Sequence, residues 1–536
     1  MQQAIILTLY FLGFRLTFVH PIMTNPSVVV SPLRSGKRYG KRILAEYLLV
    51  LFILVGIIRI LIAQNMGLMP QDAYYFYYSE HPALSYYDHP PMIAYLLKSF
   101  TFLFGKSELV IKLANLTLTT LTLLVFYLLS RQFLNKLKAS NTLILLGSTI
   151  MVTNLSVVSL PDVPLVFFWT LSLLLLYKAL FVSKGYLYWA MAGLTMGLAF
   201  NSKYTAVFLL FVLALFLLVS RQHRMLLVSR RFVLLLLVFI LTITPVVYWN
   251  MQNDWISFAF QSKSRFSTIS EFNFKPTYFF ANIGLQMLLL MPVLFVAMFT
   301  VLGKLSIKAL YSKSLPDSRK LFLLSFSVPV ISFFFVLSSV YWVKSNWLLP
   351  AYIAVAIVVG MYLVEKQLKW HLILSVVFHL VLLVQVLFYP VPVKSDDTWW
   401  GWDKLAASVK SLKREYPGYF VVSDDGYKTS AVLNFYMDEP IYAGNVIGKH
   451  GLQFSLTHAD LSHLNGKNAI FLDSKSRFTD TLKSNETDDE LNRFFEKVTE
   501  LEPIIITDEN GTPIRKFLVY KCEHYNYEKV QKNKSF

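Results

Sequence analysis

The sequence predicts an α-helical polytopic membrane protein of about eleven spans that ends in a small mixed α/β domain. Three observations carry that prediction. Mean hydropathy is +0.51 and 55% of the 536 residues are hydrophobic, too apolar for a water-soluble globular chain. Apolar stretches of roughly 18 to 25 residues recur between about residues 43 and 390, each long enough to cross a bilayer. Beyond 390, short apolar runs alternate with charged and turn-like stretches.

Charge separates the same two parts. Residues 1–390 hold 31 Lys+Arg against 10 Asp+Glu, whereas residues 391–536 hold 19 against 22. The whole basic excess therefore lies in the membrane part, where it reports orientation and not nucleic-acid binding. The single cysteine, Cys522, excludes internal disulfides and Cys-rich metal sites.

The elements follow in order. Residues 5–19 are apolar but short and broken by Arg15, and they carry no assignment. Arg34, Lys37, Arg38, Lys41 and Arg42 precede the first clear span, about 43–64, which makes 1–42 a cytoplasmic segment and 43–390 the transmembrane domain. Basic connections at 131–138, 184, 221–231, 304–320 and 365–371 alternate with connections at 65–107, 159–163, 200–203, 250–276 and 341–347. The positive-inside rule places the first set in the cytoplasm and the second outside. The tail, 391–536, then lies outside as well. Its runs "YFVVS", "NAIFL", "PIIIT" and "FLVYK" read as strands, with turns at "SDDG" and "DENGTP". The last residues, "KVQKNKSF", are expected to be disordered. No internal repeat is visible.

Ten carboxylates in 390 residues form a short catalogue, and seven fall on or near the outer side: Asp72, Glu80, Asp88, Glu108, Asp162, Asp254 and Glu271. Acids at a membrane boundary are costly unless solvated, paired or used. Asp72 follows the first span directly and opens "QDAYYFYYSEHPALSYYDHPPM". The tyrosines around it, Tyr74, Tyr75 and Tyr87 among them, suit an interfacial belt. They equally suit a platform on which a sugar ring packs while phenols bond its hydroxyls. Asp162, in "SLPDVPLVFFW", sits between two prolines in a short outer connection, either as a helix cap or as a site acid. Asp88 and His89 stand side by side. A metal there is left open, since two adjacent ligands make a weak signal, and a loop held by hydrogen bonds is the favoured reading. Lys203 and Arg265 are outer-side cations that either snorkel to lipid phosphates or bind one particular phosphate.

In that order, the motifs "SYYDHPPM", "LPDVPLVFFW", "NSKYTAVFL", "PVVYWNMQNDWISFAFQ" and "KSNWLLPAY" resemble the bacterial branch of the protein O-mannosyltransferase superfamily. That branch includes the aminoarabinose transferases that modify lipid A. The resemblance covers roughly residues 70–350, and "YKTSAVLNFYM" with "YAGNVIGKHGLQFSL" extends it into the tail. It implies a GT-C fold in a bacterial cytoplasmic membrane and a donor sugar carried on a polyprenyl phosphate. It implies Asp72 as general base or acceptor-positioning acid and Asp162 as the second acid. Where the aminoarabinose transferases have Glu-Lys before paired prolines, this chain has Asp88-His89, so a phosphate-holding lysine is missing. Lys203 and Arg265 are the expected substitutes, and the aminoarabinose specificity is itself in doubt.

Topology constrains the donor independently. Nucleotide sugars are cytoplasmic while the candidate acids face outward, and the chain contains neither GxxxxGK[ST] nor GxGxxG. A single displacement needs a base for the acceptor hydroxyl and cations on the leaving phosphate. Asp72 supplies the first, Lys203 and Arg265 the second, and Asp162 holds hydroxyls. One base without an evident carboxylate nucleophile favours inversion at the anomeric carbon. Trp249, Asn250, Lys344 and Asn346 are secondary substrate-binding candidates. The expected acceptor is an envelope glycolipid or glycan such as lipid A. The rivals are a protein acceptor on the same fold, and a lipid or sugar transporter, which would place its charges in mid-span.

Overall fold

The structure is a computed structural model that describes residues 32–262, 274–484 and 490–534. Two units are distinguished, Met1–Val50 and Leu51–Phe536. The described part of the first is the opening of helix α1 (Pro32–Asn65); the rest of the fold belongs to the second.

After α1 come two helices inside the first loop, α2 (Pro70–Glu80) and α3 (Met92–Phe104). Then follow α4 (Glu108–Ser130), the pair α5 (Lys136–Gly147) and α6 (Ile150–Val157), α7 (Asp162–Phe181) and α8 (Leu187–Phe200). The bundle continues through α9 (Val207–Val219), α10 (Arg230–Gln252), α11 (Pro276–Leu290), α12 (Pro292–Ser312) and α13 (Ser318–Ser325). It ends with α14 (Val328–Leu337), α15 (Leu349–Tyr362) and α16 (Glu365–Phe388). Proline opens α2, α11 and α12, where its missing N–H costs nothing.

Among the described residues, eight helices are long and apolar enough to cross a membrane, or nine if α5 and α6, bent by 62°, form one span. In the expected eleven, the shorter apolar helices Leu187–Phe200 and Tyr204–Val219 also cross, although by length neither passes as a span on its own. The alternation itself has a structural counterpart. Connections assigned to one side touch one another: Asp72 bonds Ser159 N, Met92 N bonds Asn201 O, Gln261 bonds Asp88 O and Asn346 bonds Asp162. Basic connections also meet, Ser318 with Gln222, and Lys138 reaches Met361 O at the end of α15, just before the connection at 365–371. The bundle thus has a loop face and a basic face.

Helices α7 and α15 form its centre, with 72% and 78% of their membrane-length windows buried, whereas only 17% of α10 is. Small residues let α8 and α10 approach: a Cβ at Gly193 would collide with the Leu235 carbonyl, and one at Gly197 with Thr242. The break between α5 and α6 exposes helix-end carbonyls inside the bundle. Arg59 answers one of them, donating to Gly147 O at 2.6 Å and to Thr153 Oγ1 at 3.0 Å.

The tail contains α17 (Trp402–Glu415), β1 (Phe420–Ser423), α18 (Lys428–Tyr436), β2 (Ile441–Tyr442) and α19 (Gln453–Thr457). It closes with β3 (Ala469–Lys475), β4 (Phe495–Glu500), β5 (Ile504–Thr507), β6 (Pro513–Tyr525) and α20 (Tyr527–Lys534). The strand order is β2-β1-β3-β6-β4 with β5 also on β6; β1 runs parallel to β2 and β3, and β6 antiparallel to its neighbours. All four expected strands are present. The end of the chain corrects the sequence reading, because α20 is helical and Val530 is fully buried in the tail core.

Period-two alternation gives the sheet two apolar faces. Phe420, Val422, Phe471, Leu518 and Tyr520 pack inside the tail. Val421, Ile470, Leu472, Phe517 and Val519 join one continuous core with α18 and with Tyr74–Tyr78 of α2. The first loop and the tail therefore share a hydrophobic core.

Candidate active site

Helix α2 carries the first acid. Asp72 is fully buried, and its oxygens accept from Met69 N at 3.0 Å, from Ser159 N at 2.6 Å and from the Lys112 ammonium. Lys112 comes from α4 and is itself 1% exposed. The carboxylate closes the N-terminus of its own helix, pins the connection that leads to Asp162, and neutralises a buried cation. These bonds tie Asp72 to its own helix, to α4 and to the connection before Asp162.

Asp162 opens α7, also fully buried. Its two oxygens accept from Lys203 Nζ at 2.9 Å each, and Oδ2 also accepts from Asn346 Nδ2 at 2.6 Å. The expected sugar-binding acid, phosphate cation and secondary candidate thus form one cluster. Lys203 stands there with its charge matched by Asp162, and not as an open cation.

Asp88 lies in the second half of the loop, 8% exposed. Oδ1 accepts from the phenols of Tyr74, at 3.2 Å, and Tyr78, while His89 Nε2 lies 3.9 Å from Oδ2. Burial pushes the Asp88 carboxyl up from its ordinary range; the two phenols and the positive charge of Lys344 oppose that push without cancelling it. The exposed Lys344 thus acts on Asp88, while Asn346, two residues on, bonds Asp162. Their segment is seated by Gln286 of α11, which donates to Ser345 O at 3.1 Å and accepts from Tyr352 at 2.9 Å.

Tyr75 lies within electrostatic reach of both acids. It packs 6.0 Å from the His89 ring, and burial first, then the charges of Asp88, Tyr427 and Asp162, hold its phenol well above the ordinary range. Asp88, Asp162, Tyr75, Lys203, Lys344 and Asn346 therefore occupy one polar locality at the loop face. Tyr87 reaches the tail instead: its N–H donates to Gln453 Oε1 at 2.9 Å and its phenol meets His450 Nε2. Asn250 is buried with Nδ2 on Val246 O at 2.9 Å, and Trp249 is half-buried beside it at the end of α10. Arg265 lies outside the described residues. No three His, Cys, Asp or Glu side chains among the described residues converge as a metal site would require.

Sequence reasoning missed the contribution of the tail. Tyr427 packs against Tyr74 with ring centroids 4.2 Å apart and planes tilted by 35°, and Gln453 N donates to the Tyr74 phenol at 3.3 Å. Gln453 is aimed by Leu452, a non-glycine residue at φ 49° and ψ −124°, a strained conformation of the kind that functional loops hold. The signal was present as "GKHGLQFSL", a glycine-flanked run of polar residues, but its target lies about 380 residues upstream. Lys112 was also missed, although a lone lysine in an apolar span asks for a buried acid.

Comparison with known proteins agrees with this architecture. Residues 88–249 match the dolichyl-phosphate-mannose-protein mannosyltransferase family. The chain is 27% identical over 305 residues to the lipid A galacturonosyltransferase RgtD of Rhizobium johnstonii, covering 56% of this chain and 60% of that protein. It is 29% identical over 294 residues to an uncharacterized protein of Aquifex aeolicus, covering 54% and 56%. It thus spans less than two thirds of the length of these relatives. ArnT from Cupriavidus metallidurans, solved bound to undecaprenyl phosphate, superimposes with a TM-score of 0.60 at 13% identity over 89% of this chain and 98% of that one. Its apo form gives 0.59 at 14% over the same shares. The fold is that of the GT-C membrane glycosyltransferases, and the resemblance read from the motifs is borne out.

Proposed function

We propose that the chain is a glycosyltransferase that moves a sugar from a polyprenyl-phosphate carrier to an envelope glycolipid at the outer face of the cytoplasmic membrane. The observation that carries this reading is the pair of buried loop-face acids, Asp88 and Asp162, joined through Tyr75 and through the Lys344–Asn346 segment. The similarity to a lipid A galacturonosyltransferase supports the acceptor class, and the fold shared with an undecaprenyl-phosphate-bound protein supports the carrier.

In this mechanism Asp88 is the general base. Its Oδ1 is fixed by Tyr74 and Tyr78, which leaves Oδ2, beside His89, to take the acceptor proton. A carboxyl raised by burial is better matched to a hydroxyl than an ordinary one. Asp162 orients Lys203, which together with Lys344 faces the carrier phosphate as it leaves. Arg265 remains the proposed third cation. The base role expected of Asp72 passes to Asp88 because Asp72 is already engaged on both oxygens. A direct attack with one base inverts the anomeric carbon.

The test is transfer of label from a panel of polyprenyl-phosphate sugars to lipid A extract, comparing wild type with Asp88→Asn. Transfer by wild type that falls at least 100-fold in the variant supports the reading; equal transfer by both removes Asp88 as base. The family match to protein mannosyltransferases favours one alternative, a protein acceptor. An arm with exported protein in place of lipid A decides between them.

A further inference from the structure

One cavity stands away from the acids. It is a groove of about 710 Å³ between α12, the end of α15 and the start of α16. Its wall on α12 is one continuous helix face, apolar from Val293 through Val296 to Val301, then cationic at Lys304 and Lys308, one turn apart. Gln367 faces the lysines across the groove, and no carboxylate lines it. The acid nearest to the lining in sequence is Glu365, between Leu363 and Gln367 at the start of α16, and it is not itself a lining residue. At 1.5 Å per residue, Val293 to Lys304 measures about 16 Å, close to the depth of one leaflet of a hydrocarbon core about 30 Å thick.

We propose that this groove is a binding site for an anionic phospholipid of the cytoplasmic leaflet, with an acyl chain along Val293–Val301 and the head-group phosphate on Lys304 and Lys308. Three features favour this occupant. The apolar length fits one chain, the cations belong to a connection that the positive-inside rule puts in the cytoplasm, and the lining itself contributes no acid to them. Lysines that merely snorkel need no groove beside them; these two close the polar end of one. The carrier phosphate of the proposed reaction belongs at the loop face, at the other end of the spans, so this is a separate site.

The full chain, purified in detergent, would be titrated with dioleoylphosphatidylglycerol and with dioleoylphosphatidylcholine and read by native mass spectrometry. Wild type is expected to hold the anionic lipid on the order of tenfold more tightly. Lys304→Gln with Lys308→Gln should erase that preference, and Thr300→Trp, at an exposed position in the groove wall, should displace the lipid. Lys313→Gln, outside the groove, should leave the preference intact. Equal binding of the two lipids by wild type, or an undiminished preference in the double variant, overturns the proposal. So does preferential displacement of phosphatidylglycerol by a polyprenyl phosphate, which would make the groove part of the carrier's path.

Discussion

Removing the Lys112 ammonium while leaving Asp72 in place separates an anchoring acid from a catalytic one. Both side chains are essentially solvent-free, at 1% and 0% exposure. In Lys112→Met the carboxylate keeps only two backbone donors, from Met69 and Ser159, and an uncompensated buried charge costs about 3–5 kcal/mol. Asp72→Asn strands the ammonium instead and should cost a similar amount. The double variant holds neither charge and loses chiefly the helix-end bonds, about 1–2 kcal/mol. The double-mutant cycle should therefore give a coupling above about 3 kcal/mol, with the double variant melting above either single one. Thermal unfolding in detergent orders the four proteins, and the transfer assay is run on those that fold. If Asp72 is an anchor, the double variant transfers sugar within about tenfold of wild type. A folded double variant with no transfer would refute the anchor and return the base role to Asp72. A single Lys112→Met as stable as wild type would refute the electrostatic argument.

Other outcomes follow from the same geometry. For wild type, kcat/KM should rise with pH through a limb above the ordinary carboxylate range, because burial raises Asp88 and a base works only once deprotonated; a limb at or below that range contradicts the assignment. Asn346→Ala removes the 2.6 Å bond to Asp162 and should lower kcat about tenfold with the fold intact, measured by initial rates beside a melting curve. Leu452→Gly relieves a positive-φ strain but removes a side chain packed on the core, so stability should change by no more than about 1 kcal/mol while the looser Gln453 raises KM, read by melting curves beside initial rates. In the tail, burial pushes Asp425 from 3.8 to about 6. The folded state then holds a proton that the unfolded state has lost, so stability should fall as pH rises from about 4 to about 6. Melting curves of Asp425→Asn should lose that slope.

The sequence made much of this legible wherever one periodicity or one charge bias decided the outcome. The membrane class, the two faces of the bundle and four of the six tail strands all belong to that kind. Length alone does not settle the count of spans, because Leu187–Phe200 and Tyr204–Val219 are apolar yet short, and hydropathy does not measure where a helix stops. The site was half legible. "YYDHPP" and "LPDVP" named the two acids that the structure brings to one locality, and "KSNW" named the segment between them. Their division of labour was not legible. Asp72 sits at a conspicuous position, but what fixes its role is Lys112 at 40 residues' remove and Ser159 at 87. Tyr427, His450 and Gln453 act through contacts that cross almost the whole chain, which no local pattern encodes.

That distance sets a schedule for making the protein. Tyr74 leaves the ribosome 379 residues before Gln453, the residue whose N–H will bond it. At about 5–20 residues per second, the tyrosine helix waits roughly 20–75 s without its cover. An ordinary apolar loop would aggregate or slide into the bilayer over such an interval. A helix of tyrosines can rest at the water–lipid boundary, rings in the head-group region and phenols wet, until the sheet arrives and lifts it out. The composition of the loop thus serves the nascent chain first and the finished site second.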